Sequence, residues 1–446
     1  MSDPLPDHVA APEEDEFRRL SPLTPIARSA IFLAAAAYTG GRQVIEEREF
    51  TGAAIAAAAV LVAGAVFGFA SWYRTKFRIT ATELRIDTGV FNRRSRRVRL
   101  DRILEIGVNQ PFVARLLGLA ELKIETATTE AEVSLSYLPL GEAHEVRHVL
   151  LEQRDTARAR EAGEEGATGV TPPSAEPVPL VRVPLSWQVK GLLASGETVG
   201  LLLLGIAIGG VLAAGLSLGA FGIGLATFGG AAFSLVRKLV GWWDWRVAVV
   251  PTGIQVRHGM FSLTTRTFNV ERLQGVRITE PLLQRPFGLA RLELSVAGGM
   301  KDNGSGDEGS GIALPVAPLD LVWRLAADLI GADPSAVPTT GPPRRASWLR
   351  PFGRPWLAFG MDDRLVVSRA GLFARRTDLV PLARVQSLRL TQGPLQRWLR
   401  LASVHADSPV GLVNAQGVHR DPAEARRLVQ EGVERARVAR MPRAAL

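Results

Sequence analysis

The sequence predicts a multi-pass α-helical membrane anchor that carries three β-rich barrels, each closed by a C-terminal helix. Three observations lead there. Two long stretches carry no charge: Thr51 to Tyr73, and the residues between Glu197 and Arg237. Elsewhere, apolar and polar residues alternate in short runs bounded by turn residues, the mark of strands with one face on a core. One pattern also occurs three times. It reads Asp101-Arg102-Ile103, Gln110-Pro111 and Arg115-Leu116-Leu117-Gly118-Leu119-Ala120. It returns as Glu271-Arg272-Leu273, Glu280-Pro281 and Arg285-Pro286-Phe287-Gly288-Leu289-Ala290, then as Ala383-Arg384-Val385, Gln392 and Arg397-Trp398-Leu399-Arg400-Leu401-Ala402. Gly89, Gly259 and Gly371 precede the pattern at the same spacing. Self-similarity of this kind marks repeated units of one architecture.

Composition narrows the function classes. The 446 residues allow about three domains. Apolar residues make up 47%, which places part of the chain in lipid. There is no cysteine, so disulfides and thiolate metal sites are excluded. A net charge of +9 suits an anionic membrane face or nucleic acid. Few aromatics are interleaved with the basic residues, so no nucleic-acid partner is expected.

In chain order, residues 1–20 read as an acidic, Pro-rich disordered tail with no basic n-region of a signal peptide. Residues 21–75 read as a first transmembrane hairpin. Its second helix, Thr51 to Tyr73, ends in Trp72-Tyr73 ahead of Arg74, Lys76 and Arg78. An aromatic belt followed by basic residues marks a cytoplasmic end, and Arg18, Arg19 and Arg28 flank the other arm. Residues 76–154 form the first barrel, with the pairs Phe77/Ile79, Leu84/Ile86, Val98/Leu100, Ile106/Val108, Leu122/Ile124 and Val133/Leu135 and a closing helix from Gly141 to Arg154. A strand meander closed by one helix is the outline of a pleckstrin-homology (PH) domain. Residues 155–185 are a Glu/Ala/Gly/Pro-rich linker. Residues 186–242 form a second hairpin that turns near Leu216 to Phe221 and ends at Trp242 and Trp243; its many glycines favour close helix contact and self-association. The second barrel spans 243–332, with Leu314 to Gly331 as its helix. A linker (333–355), a third barrel (356–437, helix from Pro422) and a tail (438–446) complete the chain.

The first repeat shows Arg97, Val98, Leu100, Arg102, Ile103, Gln110, Pro111, Arg115, Leu117, Gly118, Leu119, Ala120 and Leu122. On these residues and the apolar helix pairs, the chain resembles the YdbT-like bacterial membrane proteins, which carry repeated bacterial PH domains. The resemblance covers nearly everything except the tail and linkers. It implies PH-like folds on a plasma-membrane anchor and no established catalysis. The third repeat departs from the pattern at Arg400, where the others have glycine. Physically, Gly89 suits a positive φ after a strand, Pro111 ends a strand, and Leu116, Leu117 and Leu119 pack a short turn onto the barrel. Arg102 and Arg115 are read as structural, pairing with carboxylates or capping backbone carbonyls.

Two constellations bear on chemistry. His144-Glu145-Val146-Arg147-His148 matches the H-E-x-x-H pattern of zinc metalloproteases. It is rejected as a metal site: Arg147 places a cation beside the metal position, the second repeat's helix has no counterpart, and no third ligand is marked. The second is the basic run Arg93, Arg94, Arg96 and Arg97. Near an anionic leaflet each basic residue adds about 1 kcal/mol of attraction, so anionic lipid headgroups are one reading. The other is a solvated edge whose arginines deter strand pairing. No Walker A run, nucleophile elbow or dinucleotide fingerprint occurs, and no cofactor is expected. The apolar segments lack the buried charges of a pump or channel. The sequence therefore points to a non-enzymatic scaffold at the cytoplasmic membrane face, with both termini cytoplasmic, binding anionic lipid or membrane or cytoplasmic proteins.

Overall fold

The computed structural model describes residues 18–19, 75–80, 82–88, 94–126, 133–161, 178–214, 218–250, 253–296, 311–409 and 411–441, together with helical positions scattered between 58 and 74. Most of the first expected hairpin, Gly89 and Arg93 lie outside these residues. The chain divides into two compact units, residues 1–171 with 262–264 and residues 172–261 with 265–446.

In the first unit, β1 (Arg18–Arg19), β2 (Lys76–Ile79), β3 (Glu83–Thr88) and β4 (Arg94–Arg99) form an antiparallel sheet in that order. β1 falls in the expected disordered tail. It pairs with the otherwise open edge of β2, Arg18 opposite Phe77 and Arg19 opposite Lys76. A 3₁₀ turn over Leu100–Arg102 then carries the chain into β5 (Ile103–Gln110), β6 (Leu119–Thr126) and β7 (Val133–Pro139), a second meander. Between β5 and β6 lies the short helix α1 (Phe112–Leu116), and α2 (Leu140–Glu161) follows β7. Every apolar pair read from the sequence has a member in the core, which includes Phe77, Leu84, Val98, Ile106, Leu122 and Leu135 from both meanders and Ala143, Val146 and Leu150 from α2.

The expectation of a closed barrel is corrected. The two meanders share one core but belong to different sheets. The recurrent Asp-Arg motif supplies the reason: it occupies the 3₁₀ turn, whose Leu100 is fully buried, and this turn breaks the ladder between β4 and β5. The same turn recurs over Val270–Arg272 and Leu382–Arg384. At the former, the Asn269 side chain accepts from the Glu271 N–H at 2.8 Å.

The second unit begins with β8 (Val178–Arg182), which pairs with β9 (Arg246–Val250). The expected linker thus ends in an edge strand, where Pro179 is tolerated at a register shift. Helices α3 (Leu185–Leu193), α4 (Gly196–Ala213) and α5 (Leu218–Gly241) separate these two strands. α5 begins at Leu218, inside the stretch read as the turn, and α3 stands as a separate helix ahead of α4. The second repeat continues through β10 (Gly253–His258), β11 (Leu263–Asn269), β12 (Leu273–Pro281), β13 (Leu289–Val296), β14 (Ile312–Pro318) and α6 (Leu319–Ile330). Its helix starts at Leu319 rather than Leu314, because β14 runs fully buried up to Ala317. The third repeat comprises β15 (Ala358–Met361), β16 (Leu365–Ala370), β17 (Ala374–Pro381), β18 (Ser387–Thr391), the short α7 (Pro394–Trp398), β19 (Ala402–Asp407), β20 (Ala415–Arg420) and α8 (Pro422–Arg440). It therefore keeps the same three-plus-three-plus-helix plan despite its worn motif. Arg400 adopts φ 53°, matching φ 67° at Gly118 and 61° at Gly288, so the left-handed turn persists without glycine. Gly259 and Gly371, with φ 115° and 100°, confirm the reading of that recurrent glycine.

The second and third repeats are one body because β12 pairs with β17, giving a six-stranded sheet in the order β14-β13-β12-β17-β16-β15. In that ladder Arg277 lies opposite Asp378. The guanidinium donates from Nε to Oδ1 at 2.7 Å and from Nη2 to Oδ2 at 2.9 Å. Asp378 is 7% exposed. Burial disfavours the Arg277 charge, but the bond to Asp378 prevails and holds its pKa above the ordinary arginine value. Removing one partner of such a pair leaves an uncompensated buried charge. Asp378→Ala should cost about 3–5 kcal/mol and lower the thermal unfolding midpoint of the full chain by several degrees. The double change Arg277→Met with Asp378→Leu should recover most of that loss.

Candidate functional site

The HEVRH stretch lies on α2 with Val146 in the core and His144, Glu145 and His148 exposed. The His148 Nδ1 approaches Glu152 at 3.5 Å, and the Arg147 Nε donates to the Ile106 carbonyl at 3.1 Å, fastening the helix to β5. Among the described residues no three His, Asp, Glu or Cys side chains form a group that could hold a metal.

The basic run starts β4. Its backbone places Arg94 opposite Thr88, Arg96 opposite Ile86 and Arg97 opposite Arg85. Arg96 and Arg97 are exposed. Register extends the surface to residues the sequence reading missed: Arg85 is also opposite Arg78, so Arg78, Arg85 and Arg97 line up across three strands. The period-two alternation of Lys76-Phe77-Arg78 and Glu83-Leu84-Arg85 was the available signal, since Phe77 and Leu84 point into the core and force the arginines outward. Like charges directly opposite one another destabilise a sheet. Asp87 offsets them in part, 3.3 Å from Arg85. A hydrogen bond from Ser95 holds the Asp87 carboxyl below its ordinary pKa, partial burial pulls the other way, and Arg85 and Arg97 add to the lowering.

A second arrangement surrounds α4 and α5. Their outward side chains include Val199, Leu202, Leu203 and Ile206 on α4 and Ile223, Leu225, Phe233 and Val236 on α5, all exposed. At one end the Lys238 Nζ meets Glu197 at 2.8 Å and lies 5.3 Å from the Trp242 ring centre. Among the described residues one helix, over Gly222–Gly241, is long and apolar enough to cross a membrane alone. α3 and α4 meet the same measure jointly, bent by 50°. The bend is fixed by Ser195, whose Oγ accepts from the Thr198 N–H at 3.2 Å, while the Thr198 Oγ donates to the Leu192 carbonyl at 2.6 Å. α3 is bonded to the second repeat on two sides. The buried Gln188 donates to the Trp242 carbonyl and the buried Gln284 to the Gly191 carbonyl, both at 2.8 Å. Trp245, also buried, donates to the Ala313 carbonyl at 2.9 Å and stacks on His258 at 4.0 Å.

The family model described as "Bacterial PH domain" matches residues 29–154, 196–333 and 336–436. The chain belongs to the bacterial PH domain family. It is also 23% identical over 253 residues to the transmembrane protein YdbT of Bacillus subtilis (strain 168), covering 51% of this chain and 50% of that protein. The chain thus spans about half the length of this curated relative. No solved structure matches it.

Within the PH domains the recurrent arginines act on backbone carbonyls. Arg285 donates from Nε to the Glu280 carbonyl at 3.2 Å and from Nη2 to the Leu372 carbonyl at 2.9 Å. Arg384 donates to the Glu271 carbonyl. The structural reading therefore holds for Arg285, the counterpart of Arg115, and for Arg384, the counterpart of Arg102. The leucine turn is only partly as expected: Leu119 is buried, but Leu116 is 78% exposed. For the HEVRH helix, Glu145→Gln should change neither stability nor metal content, and metal analysis of the purified chain should find no stoichiometric zinc. Zinc retained through dialysis and lost on His144→Ala would identify a metal centre.

Proposed function

We propose that this protein is a multi-pass, non-enzymatic PH-domain scaffold of the bacterial plasma membrane. α4 and α5 cross as one hairpin, residues 21–75 form another, and the PH domains with both termini face the cytoplasm. The observation that carries the reading is the antiparallel pair α4 and α5, uncharged between Glu197 and Arg237, which turns large apolar side chains outward and leads directly into a PH domain. Lipid is the solvent that suits such a surface. The name of the Bacillus relative, a transmembrane protein, supports the same placement. The basic ends of both hairpins set the orientation.

On the first PH domain, the outward face carrying Arg78, Arg85 and Arg97, and the basic run Arg93, Arg94, Arg96 and Arg97 at its edge, attract anionic lipid headgroups. An anion among these side chains relieves the like-charge ladder. Several weak contacts held at one membrane surface sum to useful avidity, which also favours partner proteins of the membrane or cytoplasm.

Two experiments test this. A reporter active only outside the membrane, fused at Ser335 or Leu446, should stay silent; strong activity there would overturn the orientation. In liposomes, spin-labelled phosphatidylglycerol should associate with the reconstituted chain in preference to phosphatidylcholine. That preference should fall with added salt. It should also fall about tenfold or more when Arg85, Arg96 and Arg97 become alanine, from about 1 kcal/mol per residue. Equal association of both lipids with the unmodified chain would remove the lipid arm and leave protein partners.

A further inference from the structure

We propose that the turn after β12 and the tip of the β16–β17 hairpin insert into the interfacial layer of the bilayer that α4 and α5 cross, so the second and third PH domains rest on the membrane through a built apolar foot. This rests on the hairpin reading above.

The foot is made of residues a soluble surface does not favour. Leu282, Leu283 and Phe287 in the turn are 46%, 39% and 60% exposed, and Phe373 at the hairpin tip is 73% exposed. The two loops are tied together. The Leu282 N–H donates to the Phe373 carbonyl at 2.6 Å, and Arg285 reaches the Leu372 carbonyl from the other loop. Beside them Arg375 stacks on Trp356, its guanidinium carbon 3.7 Å from the ring centre, and Arg285 is 6.0 Å from the same ring. Tryptophan with arginine is the composition of a membrane–water interface, where the ring lies among headgroups and the cation meets phosphate.

Geometry fixes the height of the foot. α4 has 18 residues and so spans about 27 Å at about 1.5 Å per residue, close to the hydrocarbon thickness of about 30 Å. Gly196 therefore marks where the chain enters hydrocarbon, and the Glu197–Lys238 pair caps both helices at that level. Gln284, in the middle of the foot's turn and 6% exposed, is bonded to Gly191. Gly191 stands five residues before Gly196, about 7 Å at helical rise, and the 50° bend between α3 and α4 shortens that rise along α4. The interfacial layer on each side is about 5–8 Å deep. The foot is thus held within that layer by a buried hydrogen bond, and the occupant of its apolar side is the bilayer itself.

The chain has no cysteine, which allows single-site labelling of the full protein. Leu283→Cys and Phe373→Cys carry an environment-sensitive fluorophore. So do Leu203→Cys on α4 and Asp363→Cys, whose side chain is 90% exposed at the β15–β16 turn, the opposite end of the β16 strand. Each is reconstituted in vesicles with nitroxide lipids labelled near the headgroup or deep in the chain. The expected result is a blue shift and quenching at 283 and 373 by the shallow nitroxide, quenching at 203 by the deep one, and neither at 363. Labels at 283 and 373 that behave like 363 while 203 is quenched would overturn the foot and leave the hairpin standing. An unquenched 203 would bring down both.

Discussion

The pairing of β12 with β17 is the constraint on which the larger unit depends. A PH-type meander leaves an open strand edge, and an open edge invites indiscriminate pairing. Here each of two domains closes the other's edge. Register matters in such a joint, because a one-residue slip would exchange core and solvent faces along the whole strand. Arg277 and Asp378 meet only in the observed register, and their two parallel hydrogen bonds make any slip leave both charges buried without a partner. Gly275 serves the same joint: a Cβ there would approach the Leu379 carbonyl to 2.9 Å. The domains are two in sequence but one in packing, which is why the compact units of the chain do not coincide with its three repeats.

Much of this fold was legible in the residues. Alternation located the strands, because each pair such as Leu84/Ile86 or Leu122/Ile124 is set by burial on one face, a local property. The recurrent glycines were legible because a positive φ restricts residue choice. Arg400 shows the limit of that rule: the surrounding turn imposes the left-handed conformation on a residue that does not favour it. Legibility failed where structure depends on a partner distant in sequence. Val178–Arg182 reads as linker until β9 is beside it. The closed barrel was the natural expectation from six strands, but the 3₁₀ turn that divides them is written in three residues whose role shows only once Leu100 is seen buried.

The candidate surfaces follow the same division. The run from Arg93 to Arg97 was visible as consecutive charge. Arg78 and Arg85 share the outward face of Arg97 by register alone, while Arg96 stands opposite the buried Ile86. The HEVRH stretch shows the converse. Its spacing is that of a metal motif, yet Ala143, Val146 and Leu150 set the inward face of α2 and leave both histidines on the outward one.

The clamp on α3 has a mechanical consequence. Gln188 and Gln284 bond this helix to the sheet-bearing body, while the Ser195–Thr198 linkage makes the bend into α4 stiff. No pliant hinge separates α4 from the folded body on that side. On the proposed crossing, the 18 residues of α4 tilt where the local bilayer is thinner than their length of about 27 Å. Through the stiff elbow, a few degrees of such tilt would become a swing of the whole six-stranded sheet, so that on this reading lipid thickness sets the attitude of the domains α4 carries.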